Sequence, residues 1–171
     1  MASTTTRILT AACACGGVEI ATTGAPITGV VCYCEDCQAG SRQVEALAGA
    51  PPAADPDGGS AYILFRKDRV ATSKGAALLK DYKLREKSAT NRVVATCCNS
   101  AMFLGFDDSR FWVSMYRARF RGEIPPSRMR VCTRSRSAGT RIPDDVPAYR
   151  GFPIRFLATI FAAWLPMLLR R

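Results

Sequence analysis

Seven of the eight cysteines in this chain fall into three tight groups, and the sequence contains no histidine. The groups are Cys13-Ala14-Cys15-Gly16, Cys32-Tyr33-Cys34-Glu35-Asp36-Cys37 and Cys97-Cys98. Thiols one or two residues apart pair poorly as disulfides, because so short a span strains the S–S geometry. They converge readily on one soft divalent cation, and zinc takes Cys sulfur in a tetrahedral shell. Cys13, Cys15, Cys97 and Cys98 together make a closed four-sulfur set. Cys32, Cys34 and Cys37 supply three sulfurs and leave a fourth position open. Closed sites are structural and open three-ligand sites are catalytic in type. Cys132 stands apart from the groups and reads as an inert thiol.

The compartment follows from the same residues. Met1 to Thr10 carries a Thr/Ser run and one arginine without a sustained apolar stretch, which does not fit a secretory signal. The expectation is a cytoplasmic, reducing environment, where clustered cysteines bind metal rather than form disulfides.

Short β-rich runs separated by turns dominate the first two-thirds. Arg7 to Ala12, Val18 to Ile20 and Gly29 to Tyr33 read as strands, as do Ala61 to Phe65, Arg69 to Thr72 and Leu78 to Arg85. Arg92 to Thr96, Ala101 to Leu104 and Phe111 to Tyr116 complete the series. Gly16-Gly17 permits the tight turn that a metal knuckle needs. Glu35 to Leu47 reads as a short helix that starts at the second cysteine group. Gly49 to Ser60 holds three Pro, three Gly and two Asp and reads as a mobile loop.

The net charge of +10 is concentrated. Residues 1–109 carry 11 basic and 11 acidic side chains, whereas residues 110–171 carry 13 arginines against 3 acids. Residues 117–150 read as an Arg/Pro-rich linker. An arginine-rich segment suits nucleic acid or an anionic membrane surface, and also a solvated tail. Phe111, Trp112, Tyr116 and Phe120 interleave with arginines, an arrangement that stacks on bases or lines the core face of a strand. Residues 151–171 end in an apolar helix, Phe156 to Leu169, flanked by Arg155 and by Arg170-Arg171. Fourteen helical residues reach about 21 Å, short of the roughly 30 Å hydrocarbon core. Such a helix packs on its own domain, joins a homodimer, or lies at a membrane interface.

The strings CACGG, VCYCEDCQ and RVVATCCNSAMF together resemble the family of glutathione-dependent formaldehyde-activating enzymes and centromere protein V, over roughly residues 7 to 116. The resemblance implies a mainly β fold, a β-tent, with a structural zinc, a catalytic zinc and a short helix. It implies a carbon–sulfur lyase acting on the adduct of formaldehyde with glutathione, a small thiol partner. On this likeness Cys13 and Cys15 match half of the structural site, and Cys32, Cys34 and Cys37 match the catalytic sulfurs. The family pattern Cys-x-x-Cys-Gly-[ST]-Pro is altered here. Ala95 stands where its first cysteine belongs, leaving Cys97 to substitute as the sulfur beside Cys98. Asn99 replaces the glycine and Ala101 the proline. The likeness also puts Glu35 and Asp36 beside the open site. Either acts on a proton there, or both complement a helix N-terminus. The competing reading is a non-catalytic zinc module whose arginine-rich segment binds nucleic acid or anionic membrane.

Overall fold

The computed structural model describes residues 8–168. Arg7, in the expected first strand, and Leu169 to Arg171, in the expected final helix, lie outside them. The elements in chain order are β1 (Ile8–Ala12), β2 (Glu19–Thr23), β3 (Thr28–Cys32), α1 (Glu35–Glu45), β4 (Ser60–Arg66), β5 (Val70–Lys74) and β6 (Leu79–Lys83). There follow β7 (Thr90–Ala95), β8 (Ser100–Phe106), β9 (Trp112–Tyr116), β10 (Met129–Val131) and α2 (Ile154–Leu168). The chain is mainly β with one short helix and one apolar helix, the class its sequence implied.

Three strands form a small antiparallel sheet in the order β1-β2-β5, and seven form a larger one, β10-β3-β4-β9-β8-β7-β6. Side chains alternate across a strand, so a strand covered on both faces must be apolar at every position. β4 meets that condition from Ala61 to Phe65. Tyr62 and Leu64 point into one core with Val30, Cys32, Val44, Leu104 and Val131. Ile63 and Phe65 point into a second core with Leu9, Ile20, Met102 and Met115. The second core joins the small sheet to the large one. The first lies beneath α1 and receives Phe156 from α2. Of the aromatic run near the arginines, Tyr116 and Phe120 are buried and Phe111 and Trp112 half-buried, while Val113 and Met115 between them face the core.

The segment expected to be a linker contributes a strand. β10 runs parallel to β3, with Val131 opposite Cys32, and extends the large sheet by one edge. Its anchor is Arg130, whose side chain is 7% exposed. Arg130 donates from Nη1 to Asp57 Oδ2 at 3.0 Å and from Nε to Asp145 Oδ1 at 3.0 Å, and also to the Tyr33 hydroxyl. Tyr33 in turn donates to Asp57 at 2.7 Å. Burial first, and then Asp57, hold the Tyr33 phenol above its usual range.

The Gly49 to Ser60 loop, expected to be mobile, is tied down. Its backbone N–H groups at Ala53 and Ala54 donate to the Glu45 carboxylate at 2.7 and 2.8 Å. Pro52 O accepts from Arg119, and Asp57 is held by Arg130. Proline and glycine content predicted the absence of regular structure; it could not reveal that charged partners would fix the loop in place.

Candidate metal centres

The first cysteine pair forms a knuckle between two strands of the small sheet. Cys13 follows β1, the turn passes through Gly16 at φ +74°, and the chain returns as β2. Val18 N–H donates back to Cys13 Sγ at 3.2 Å. Gly17 leaves room for the sulfurs: a Cβ there would lie 3.0 Å from Cys97 Sγ and 3.4 Å from Cys15 Sγ, a tight fit. Cys97 and Cys98 arrive from the β7–β8 turn, where Asn99 adopts φ +51°, a left-handed conformation asparagine tolerates. That turn lets two adjacent cysteines face one point. Ser100 Oγ braces it, accepting from Ala14 N–H at 3.0 Å and lying 3.1 Å from Cys98 Sγ.

The four sulfurs lie within 4.8 Å of one another. Cys13–Cys15, Cys13–Cys97 and Cys15–Cys97 are 3.6, 3.7 and 3.4 Å apart. A tetrahedral zinc–thiolate shell with bonds near 2.3 Å requires sulfur spacings of about 3.8 Å. The donor set therefore fits such an ion in number, chemistry and spacing. Cys98 is drawn down to about 6, against burial, by the Ser100 hydroxyl and the Cys15 backbone. Cys97 is pushed up to about 12 by desolvation and then by the Cys15 and Cys13 thiols.

The second group sits where β3 ends and α1 begins. Cys32 is the last residue of β3, and Cys34 is the N-cap of α1, accepting from Cys37 N–H at 3.4 Å. Exposed backbone donors and the helix dipole favour negative charge at this position. The Cys32, Cys34 and Cys37 sulfurs also lie within 4.8 Å of one another, and three thiols suit a soft divalent ion. Hydrogen bonds from Cys32 and Cys37 hold Cys34 down at about 3, against burial. Cys32 is driven well above the usual thiol range, first by its contact with Cys132 and then by Cys34 and Cys37. Of the three sulfurs, Cys34 is the one its surroundings favour as thiolate.

The sequence matches the family described as glutathione-dependent formaldehyde-activating enzyme over residues 8–115, more than half of the chain. The chain belongs to this family. No curated protein matches it. A crystal structure of a Rhodobacter sphaeroides protein, a structural genomics target, is similar at 17% identity with a TM-score of 0.48, covering 68% of this chain and 91% of that one.

In this member of the formaldehyde-activating family the two cysteine groups differ in surroundings: Cys15 and Cys97 are exposed on the surface, whereas Cys32 and Cys37 are buried and face a cavity. A cavity of about 250 Å³ is lined by Cys32, Cys34 and Cys37 together with Tyr62, Leu104, Phe106, Trp112 and Phe156. Asp36, Arg92 and Arg110 also line it, whereas Glu35 does not. Glu35 instead lines, with Cys34 and Asp36, an adjoining hollow, so of the two acids only Asp36 borders both spaces. Asp36 is partly engaged by Arg85 at 3.6 Å, an exposed pair. Arg110 grips Asp108 through three hydrogen bonds of 2.6 to 2.9 Å and lies 3.8 Å over the Phe106 ring.

Arg92 is the residue that sequence reasoning missed. It is 1% exposed, and its guanidinium lies against helix α1 and donates to the Asp36 carbonyl. Its Nε and Nη1 have no hydrogen-bond partner among the described residues. Gly40 makes room for it, since a Cβ there would lie 1.5 Å from Nε. An alternating strand reading gives Arg92 to solvent at the start of a run. Only the glycine at position 40, one helical turn beyond Cys37, hints at a neighbour that needs space.

Cys132 is not solitary either. It follows β10 at φ +57°, is 6% exposed, and its thiol meets that of Cys32. Tyr33 N–H donates to Val131 O at 3.0 Å, which holds the two strand ends together. Its sulfur falls outside the set of three that lie mutually within 4.8 Å. A parallel pairing between residues so distant in sequence leaves no local signal, so the cysteine looked isolated.

Proposed function

We propose that this protein is a zinc-dependent carbon–sulfur lyase acting on the adduct of a small thiol, glutathione in type, with formaldehyde or a similar small aldehyde. The observation that carries this reading is the asymmetry between the cysteine groups: Cys32, Cys34 and Cys37 line a cavity with two arginines, whereas the lining of that cavity includes none of Cys13, Cys15, Cys97 and Cys98. In this reading the four-sulfur group holds a structural zinc and the three-sulfur group a reactive one, in a reducing cytoplasmic setting.

Cys32, Cys34 and Cys37 would hold the zinc, which when bound would supply a Lewis acid and would lower the pKa of an incoming thiol. The remaining work belongs to the chain. In the adduct-forming direction the thiol sulfur bonds to the aldehyde carbon and the C=O π bond opens. The proton leaving sulfur ends on the new hydroxyl oxygen. The lyase direction breaks that S–C bond and returns the proton to sulfur. We assign the proton to the Asp36 carboxylate, the acid that lines the cavity. Arg92 brings positive charge to a space containing three sulfurs, where low dielectric strengthens its hold on a thiolate or an opening oxygen. Leu104, Phe106, Trp112 and Phe156 keep water from the reacting carbon.

The reading as a nucleic-acid-binding zinc module has less support, because several of the arginines it would use are engaged internally. Arg119 is 8% exposed and donates to Pro52 O, Arg130 is held by two carboxylates, and Arg110 is held by Asp108. The test is NMR exchange between formaldehyde and glutathione. Wild type raises the exchange rate above that in buffer, and Cys34→Ser returns it to the buffer value. A wild-type rate equal to buffer contradicts the assignment.

A further inference from the structure

Helix α2 leaves a row of large apolar side chains in solvent. Ile154 is 84% exposed, Leu157 56%, Phe161 57%, Leu165 44% and Trp164 37%, and Phe152 just before the helix is 53% exposed. At 100° per residue, positions 154, 157, 161, 164 and 165 share an arc of about 100°, one continuous stripe. The helix is held to the domain by a different set. Phe156 is buried at 8% exposure and Ile160 packs behind it. Phe152 and Phe156 are 5.2 Å apart by ring centroid, so the entry to the helix is fixed on the domain. The stripe is thus an outward-facing surface on a seated helix.

The charge beside it has one sign. From Val146 to Arg171 the sequence has no acidic residue and includes Arg150, Arg155, Arg170 and Arg171. Arg155 donates to the Tyr149 hydroxyl at 2.9 Å and shares a surface hollow with Arg128 and Thr159. Among the described residues no helix is long and apolar enough to cross a membrane. A 15-residue helix measures about 22 Å, which also falls short of a span.

We propose that α2 is an interfacial anchor that lays its Ile154–Leu165 stripe into an anionic lipid surface, with the neighbouring arginines on the headgroup phosphates. A stripe of aromatic and aliphatic side chains with arginines beside it suits burial at the headgroup boundary, where apolar area and anionic lipid both contribute to binding. A second copy of the chain satisfies the surface less well. Pairing two α2 helices brings together two sets of arginines, and residues 146–171 offer no carboxylate to neutralise them. A bilayer supplies both the apolar layer and the anion. This inference stands on α2 alone and is independent of the lyase reading.

The test uses the full zinc-loaded chain with Trp112→Phe, which leaves Trp164 as the sole tryptophan. Phosphatidylcholine vesicles with and without phosphatidylserine are added, and Trp164 emission and co-sedimentation are measured. Binding is expected to shift the emission to the blue, to be at least about tenfold tighter with phosphatidylserine, and to weaken with salt. Leu157→Glu with Phe161→Glu is expected to abolish binding while leaving the zinc content unchanged, since neither side chain is in the core. No vesicle binding by folded, zinc-loaded protein overturns the proposal. So does a concentration-dependent dimer that the same double substitution dissolves without any vesicle binding, because it makes the stripe a self-association face.

Discussion

The two cysteine groups use the same donor atom to opposite ends. The Cys13/Cys15/Cys97/Cys98 group joins chain segments more than 80 residues apart, and closing so long a loop constrains the fold. Its turns are fitted to the purpose by Gly17, Asn99 and Ser100. The Cys32/Cys34/Cys37 group spans six residues and constrains almost nothing. It sits at a helix N-terminus with a cavity in front of it and a buried guanidinium beside it. Sulfur count separates the two less sharply than what surrounds the sulfurs does.

That contrast gives its largest signal in a pair of substitutions. Cys15→Ser should release one zinc and lower the thermal midpoint by more than about 10 °C, because metal affinity at a closed thiolate site is folding free energy. Cys34→Ser should also release one zinc but move the midpoint by only a few degrees. Differential scanning calorimetry with metal analysis reads both, and equal losses of stability would break the distinction. Ending the chain at Arg121 should sharpen it. The truncation removes β10 and Arg130 from the edge of β3, so the three-cysteine group should lose its metal while the four-cysteine group keeps one ion. Retention of two would show that β10 does not support the site. Next in size, Arg130→Met should cost about 3–5 kcal/mol in urea unfolding, since it strands the carboxylate of Asp57 beside β3. Gly40→Ala should cost about 1–3 kcal/mol by overpacking and displace Arg92. It should slow formaldehyde–glutathione exchange with no change in zinc content.

The smallest effect is in pH. With the labile ion removed, Cys34 should be alkylated by iodoacetamide at a nearly constant rate from neutral pH down to about pH 5. Its neighbours hold it as thiolate above about pH 3. A rate that falls tenfold per pH unit across that range would mark an ordinary thiol.

The sequence was most informative where a local rule decided the outcome. Cys-x-Cys followed by two glycines announced a knuckle, and the β-rich runs announced nine of the strands. The start of α1 at Cys34 followed from the cysteine spacing and two acids in the first turn. What escaped was decided by pairing at a distance. β10 is three residues within an Arg/Pro-rich stretch, and its strand character comes from β3 and from the carboxylates of Asp57 and Asp145. Arg92 went unnoticed within its strand, because no local rule predicts a guanidinium buried against a helix glycine. Cys132 looked solitary because its neighbour, Cys32, lies a hundred residues earlier in the chain. The loop at 49–60 was legible as irregular, but its clamps belong to Glu45, Arg119 and Arg130, none of which lies within it.

The division of labour between the two groups is tested most directly by timing zinc release to a colorimetric chelator, with and without glutathione. The account predicts two ions per chain released in two well-separated phases. The fast phase should respond to glutathione and vanish in Cys34→Ser; the slow phase should be indifferent to both. A single phase, or a fast phase that survives Cys34→Ser, would contradict it.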